Sequence, residues 1–354
     1  MKILVISLAG IGDTLFATPL IHELRANFPD ATIDALVMWP GSKDLLEHNP
    51  HVNRVFQKNL IKCSKLEGLK FLRSLCRNVY DISISTYPQS RMHYRLVARI
   101  LGAPVRISHR YAGWRWLDDR LVNRTLPEDY ARHCVENNLA LLPFLEARPR
   151  LAEHRYEIFL TEEEKAHAER FSGGGQLSGR PLLGIHVGSG GTKNLALRRW
   201  PLENYAELIR QLHKKRPELA VVFFGGPEEK GGHEKIRALV AGDNLFFPKT
   251  RNLRQTAALI AKCNAFLSVD TSLMHLAAAM RVPGQIVIET PTWNRTVEPY
   301  GNSFTLVKNP VVDGRGLDFY RYDGGDIKGT REKLLACMAS VKIEDVFETV
   351  TKLI

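Results

Sequence analysis

The residues best suited to chemistry cluster at a few short turns. The run Ala265–Val269 is apolar and strand-like, it ends in Asp270-Thr271-Ser272, and Leu273–Met280 then collects strong helix formers. A strand–turn–helix of this kind aims free backbone N–H groups and the positive helix end past the sheet edge, where an anion can sit. Asp, Thr and Ser are also ordinary helix caps, and His275 suits a hydrogen-bonded interior histidine, so capping and anion binding both fit this stretch. A second turn, His186–Pro201 (HVGSGGTKNLALRRWP), offers Gly188, Ser189, Gly190, Gly191 and Thr192, followed by Lys193, Arg198 and Arg199. Hydroxyls, amides and guanidinium groups suit a pyrophosphate, although a surface loop with solvated bases has the same composition. In Gly225–Glu229 a glutamate after a strand can accept both hydroxyls of a ribose, while exposed turn carboxylates are commoner. Gly10-Ile11-Gly12-Asp13 is not a dinucleotide fingerprint, because the third glycine position holds Leu15. It is a loop open to close backbone approach at Gly12, with the Asp13 carboxylate at a helix start, where a cap would also sit. The chain contains no G-x-x-x-x-G-K-[ST], no H-E-x-x-H, no G-x-S-x-G and no D-x-D.

These turns need a scaffold, and the periodicity supplies one. Lys2–Leu8, Ala31–Met38 and Tyr80–Thr86 are apolar enough to be strands buried on both faces, and Thr14–Phe28 predicts a single helix between the first two. After a charged helix at Thr161–Phe171, Ser172–Gly179 is the most loop-like segment of the chain. A second series of strands and helices follows from Pro181. The expectation is α/β, with two doubly wound Rossmann-like domains facing across a cleft. The expected boundaries are 1–165 and 178–335, with 336–354 as a C-terminal helical segment able to pack back on the first domain.

Length, charge and cysteine content narrow the class. The chain has 354 residues, 44% hydrophobic and 25% charged, which is ordinary for a globular protein of two domains. Its five cysteines are scattered without a C-x-x-C, which argues for a reducing compartment and against a zinc site. The apolar N-terminus stops at Asp13 without a small-x-small cleavage site, so a first buried strand is expected rather than a signal peptide. No apolar run reaches the roughly 18 residues needed to span a bilayer, and a cytoplasmic protein is expected. Of the net charge of +11, an excess of ten falls in residues 51–150, which hold 18 lysines and arginines against 8 aspartates and glutamates. That excess calls for an anionic partner of the first half. Arg91, Arg95 and Arg99 recur every four residues, and Arg106, His109 and Arg110 follow a strand. With Gly12 of the first loop, Arg91, Arg95, Arg106, His109 and Arg110 are therefore candidates for binding an anionic acceptor at the inner face of a membrane, with a merely solvated face as the competing reading for the basic residues. The window contains no recognisable nucleic-acid module, and no nucleic-acid partner is expected.

The order G-x-G-D-x-x-x-x-T-P (Gly10 to Pro19), R-R-W-P (Arg198–Pro201), F-G-G-P-E-E (Phe224–Glu229) and D-T-S-x-M-H-L-A-A-A (Asp270–Ala279) resembles glycosyltransferase family 9, the ADP-heptose:lipopolysaccharide heptosyltransferases and their relatives. The resemblance runs over nearly the whole chain. It implies the GT-B fold, with an ADP-sugar donor on the second domain and an anionic glycan or glycolipid acceptor on the first. It implies metal-independent transfer with inversion, no cofactor and no metal ligands. It places the catalytic aspartate at Asp13 and the base that meets the donor phosphates at Arg198, with Ser189, Gly190 and Thr192 as the loop before it. The ribose glutamate falls at Glu228 or Glu229, and Lys249-Thr250 falls where relatives hold the adenine. The family's D-x-G-x-x-H becomes Asp270, Thr271, Ser272, Leu273 and His275, with Ser272 replacing the glycine. A competing reading of another class is a non-catalytic nucleotide-sugar or anionic-glycan binding protein of the same fold.

Overall fold

The computed structural model describes residues 1–191, 193–240, 242 and 244–354. The chain divides into two compact units, Met1–Phe159 with Tyr322–Gly324, and Leu160–Arg321 with Gly325–Ile354. In the first unit, six strands form a wholly parallel sheet: β1 (Lys2–Ser7), β2 (Thr32–Val37), β3 (Arg54–Gln57), β4 (Ile82–Ser85), β5 (Val105–Arg110) and β6 (Arg124–Pro127). Their spatial order is β3-β2-β1-β4-β5-β6. The second unit repeats the plan with β7 (Leu182–Ile185), β8 (Ala220–Phe223), β9 (Leu245–Phe246), β10 (Ala265–Ser268), β11 (Gly284–Ile288) and β12 (Thr305–Val307), ordered β12-β11-β10-β7-β8-β9. In each sheet the chain winds outward one way, returns to the centre, and winds outward the other way. The reversal lies between β1 and β4 in the first sheet and between β7 and β10 in the second. Crevices at such reversals are where doubly wound sheets bind ligands.

The long helix expected at Thr14–Phe28 is two helices, Ile11–Leu15 and Thr18–Asn27. Pro19 has no N–H and its ring crowds the carbonyl four residues back, so it is tolerated only in a first turn, which it occupies here. The domain boundary also differs from expectation. Helix Glu162–Gly173 belongs to the second unit, tied there by a buried ion pair of Glu164 with Arg254 at 2.9 Å. The glycine-rich stretch after it is therefore internal to the second unit rather than a link between domains. The last helix, Ile343–Leu353, packs on Leu202–Lys215 and against β11 and β12. Its Val346 and Val350, one turn apart, are wholly buried in the second core, so this segment is part of the second unit. No helix among the described residues is long and apolar enough to cross a membrane.

Candidate functional site

At the reversal of the second sheet, β7 and β10 lie side by side with Leu267 opposite Ile185, and His186 N–H donates to the Leu267 carbonyl at 3.0 Å. The loops leaving both strands therefore start together. Thr271 is the N-cap of helix Ser272–Ala279, its hydroxyl accepting from Met274 N–H at 3.3 Å. Asp270, just before the cap, is buried and accepts from Arg198 Nη1 at 2.8 Å and from Thr292 Oγ1 at 2.7 Å. Arg198 Nη1 also donates to Thr292 Oγ1 at 2.9 Å. Since the Thr292 proton goes to Asp270, Thr290 is the donor in the 2.9 Å contact between the two threonines. The result is a fixed guanidinium at the mouth of the crevice, with its Nε buried and without a hydrogen-bond partner. A buried N–H of this kind normally finds an acceptor.

The loop after β7 is braced from both sides. Ser189 Oγ donates to the Leu195 carbonyl at 2.9 Å, while Arg199 donates through Nε to Ser189 Oγ at 3.1 Å and through Nη2 to its carbonyl at 2.8 Å. Glu229 sits against Gly188, where a Cβ would fall 2.2 Å from its Oε1, and its Oε2 accepts from Gly226 N–H at 2.8 Å. Burial raises the pKa of Glu229, although Gly226 N–H and Arg199 oppose the shift. Glu228 is exposed and approaches Gly191, where a Cβ would lie 3.0 Å from Oε2. Both glutamates thus line the 188–191 backbone, the buried Glu229 more deeply. A Cβ at Gly190 would meet Leu195 at an ordinary 3.5 Å. Thr192 lies outside the described residues. Lys193 turns to the Gly325 carbonyl at 2.8 Å.

Two histidines complete this face. His186 Nδ1 lies 3.1 Å from Thr271 Oγ1, and Nε2 lies 4.0 Å from Glu229 Oε1. Burial foremost, with His233, Arg199 and Arg198, pushes its pKa down to about 3. His275 is pushed down to about 3 by burial and Arg198. Both are neutral at pH 7, so the positive charge at this mouth is carried by arginine. Ser272 is half-buried at the first helical position and Leu273 is buried behind it. Lys249 is exposed and lines, with Arg251, His167 and Arg170, a recess of about 280 Å³, while Thr250 Oγ1 pairs with Thr256 Oγ1 at 2.8 Å. Thr290 and Thr292 were not singled out by sequence, and His186 was named only as the first residue of the 186–201 turn. Their one signal is position, since each follows the end of a buried strand.

At the reversal of the first sheet, Asp13 occupies the third residue of its short helix, next to Gly12, and Oδ2 accepts from Gly10 N–H at 2.6 Å. The carboxylate is half-buried, and it adds to the burial that raises the Tyr94 phenol against the opposing pull of Arg91. Gln89, also unforeseen, ties the two strand ends together: Oε1 accepts from Leu8 N–H at 3.0 Å and Nε2 donates to the Ile6 carbonyl at 2.6 Å.

The basic residues expected on one acceptor face are not brought together. Arg95 is buried, donating to Asp118 at 2.7 Å and lying 4.7 Å from the Trp114 ring. His109 is fully buried and donates to the Asn137 carbonyl at 3.0 Å, with burial pushing its pKa down to about 4. Arg106 is spent on the carbonyls of Leu121 and Ala103 at 2.8 and 2.7 Å. Arg91 and Arg110 remain exposed, Arg110 beside Asp119 at 2.8 Å and Arg91 donating to the Gly324 carbonyl at 3.3 Å. Elsewhere in this unit, ligand atoms of His22, His51 and Glu157 lie within 4.8 Å of one another. The two imidazoles stack at 3.8 Å with planes 14° apart, so their in-plane lone pairs do not converge on one point.

The chain matches the model of glycosyltransferase family 9 (heptosyltransferase) over residues 68–314. It is 27% identical to lipooligosaccharide heptosyltransferase 2 of Haemophilus influenzae, across 99% of this chain and 100% of the relative. It is 31% identical to lipopolysaccharide heptosyltransferase 2 of Escherichia coli, across 80% of this chain and 81% of the relative. Among solved structures, the E. coli ADP-heptose lipopolysaccharide heptosyltransferase II superposes with a TM-score of 0.74 at 23% identity, covering 100% of this chain and 98% of the other. That likeness identifies the architecture of the two units as GT-B.

Proposed function

The chain belongs to glycosyltransferase family 9, and from that premise we propose that it moves a heptose from an ADP-sugar, with inversion and without a metal, onto a lipopolysaccharide core or similar anionic glycan. One observation carries the donor half: Arg198, held by Asp270 and Thr292 at the reversal of the second sheet, beside the braced loop 186–191. A diphosphate seated there meets a guanidinium and the N–H groups at the start of helix Ser272–Ala279, the donors that suit a developing negative charge. Glu229 is then the ribose ligand, because it is the glutamate packed on the loop backbone.

Asp13 is the base in this reading. As the acceptor oxygen bonds to the anomeric carbon, its proton passes to the carboxylate, and the bond to the diphosphate breaks on the opposite face. An ionised carboxylate is a weak base towards a ground-state hydroxyl. Its contribution therefore arises as that hydroxyl acidifies in the transition state. The cap from Gly10 N–H fixes the orientation of the carboxylate.

The acceptor contacts reduce to Arg91 and Arg110, the exposed members of the basic set. A cytoplasmic location with peripheral contact at the inner membrane face follows from a lipid-anchored acceptor. The test is calorimetry with ADP, UDP, GDP and dTDP, followed by ADP release from ADP-heptose with a core oligosaccharide, with and without EDTA. Tightest binding of ADP and EDTA-resistant, acceptor-dependent release are expected. Preference for another nucleotide overturns the donor assignment, and loss of activity in EDTA overturns the metal-free step.

A further inference from the structure

On the first unit, helix Met92–Leu101 buries Tyr94, Arg95, Val97, Ala98 and Leu101. Its opposite face carries Met92, Leu96 and Arg99, spaced i, i+4 and i+7, and the two apolar residues are each 44% exposed. Segment 111–121 is fastened beside this helix. Arg95 reaches Asp118 at 2.7 Å, its guanidinium lies 4.7 Å from Trp114, and Asp118–Leu121 packs on the helix. Fastening Trp114 and Asp118 turns the residues between them outward. Trp116 is 66% exposed, the one exposed tryptophan of five, and Leu117 is 40% exposed.

Single exposed apolar residues need no explanation. Four of them on one helix and its adjoining loop, among arginines, do. Of the local acidic residues, Asp118 is spent on Arg95 and Asp119 on Arg110. Among the described residues, Arg99, Arg115 and Arg120 form no ion pair, and Arg120 lies over the Trp116 ring at 4.9 Å. Uncompensated cations around an outward indole and aliphatic side chains match the headgroup level of a bilayer. There the indole sits half in apolar and half in polar surroundings, and guanidinium groups meet lipid phosphates.

We propose that this face, together with Trp116 and Leu117, docks the protein on a bilayer containing anionic phospholipid. The proposal rests on the heptosyltransferase reading, in which the acceptor is anchored in such a bilayer. It assigns the seating to residues that have no part in donor binding or proton transfer. Lipid headgroups are favoured over a nucleic acid partner because Met92, Leu96 and Leu117, three of the four exposed apolar side chains, are not aromatic and offer a base no ring to stack on.

The full-length protein is tested by co-sedimentation with vesicles of phosphatidylcholine, alone or mixed with phosphatidylglycerol, while tryptophan emission is followed. Binding is expected only to the mixed vesicles, weakening with salt, with a blue shift in emission that disappears in Trp116→Phe. The W116A/L117A variant should bind these vesicles about tenfold or more weakly, and Arg115→Gln with Arg120→Gln should lose the preference for phosphatidylglycerol, while ADP affinity is unchanged in all. Absence of binding to mixed vesicles, or a W116A/L117A variant that binds like wild type, overturns the proposal, as does a Trp116 shift given by duplex DNA in place of vesicles. Transfer to a lipid-free core oligosaccharide is measured in parallel. Vesicle binding without transfer supports the docking face and removes the transferase reading beneath it.

Discussion

Replacing Arg198 by alanine should do two separable things. The change removes the donor that holds Asp270 at 2.8 Å and leaves a buried carboxylate with Thr292 alone. Taking away one partner of a buried ion pair costs about 3–5 kcal/mol, because the remaining charge stays desolvated. For a unit of this size each kcal/mol corresponds to about 2–4 °C, so the melting temperature should fall by about 6–20 °C. The second effect is on ligand. A charge-assisted contact to phosphate is worth about 1.5–3 kcal/mol, so ADP should bind about 10- to 150-fold more weakly. Adding Asp270→Asn separates the two. The double variant has no unpaired charge and should recover much of the stability, with a coupling of about 1–3 kcal/mol, but none of the ADP affinity. Scanning calorimetry and titration calorimetry on wild type, both single variants and the double variant close the cycle. If Arg198→Ala melts with wild type and binds ADP with an unchanged Kd, the guanidinium is neither buried nor at a phosphate, and the donor site lies elsewhere.

Other substitutions test the remaining parts. Asp13→Asn should keep ADP affinity and lower kcat by about 10²-fold or more, and near-normal turnover would reduce Asp13 to a cap on Gly10. Gly188→Ala places a methyl group 2.2 Å from Glu229 Oε1 and should weaken ADP by about tenfold, whereas Gly190→Ala, with ordinary contact at 3.5 Å, should not. A response of both or of neither in titration calorimetry would separate Glu229 from the donor. Acid stability should report Glu23, which is fully buried on helix Thr18–Asn27 and accepts from the Arg150 and Leu151 N–H groups at 2.9 Å. Burial raises its pKa, but the N–H groups of Leu151 and Arg150 and the His154 ring outweigh burial, so the folded value lies below 4.5. Its stabilisation is therefore complete above the unfolded pKa and is lost as pH falls through the folded one. Thermal melts should show wild type losing stability more steeply than Glu23→Gln below pH 4.5, and parallel curves would refute the assignment.

Apart from β3 and β6, short strands that are largely exposed or half-buried and carry no marked apolar run, the strands and the four loops at their ends were legible because each signal is local. An apolar run followed by glycines or caps marks a parallel strand and the turn after it, whatever the rest of the chain does. Elements that depend on distant partners were not legible. Arg95 and His109 look like surface bases until Asp118 and the Asn137 carbonyl meet them from 23 and 28 residues away. The terminal helix carries an apolar stripe that fits either unit in sequence, and only its packing on Leu202–Lys215, β11 and β12 decides between them. Thr292 is chemically bland, and its role comes from a strand order that sets β11 beside β10.

The pair Arg198-Arg199 shows the same boundary within two residues. Alternation predicts that one arginine faces the site and the other faces solvent, which would make Arg199 a control for Arg198. The 3-10 turn Leu195–Arg198 ends between them, and Trp200 is buried directly after, so both guanidinium groups turn inward. Arg198 goes to Asp270, and Arg199 goes to the Ser189 hydroxyl and carbonyl. Removing Arg199 therefore loosens the loop that carries Gly188 and Gly190, and its effect on ADP binding should be smaller than that of Arg198 but not absent. A control that leaves the site intact has to come from outside this network, and Lys214, at the far end of helix Leu202–Lys215, is one.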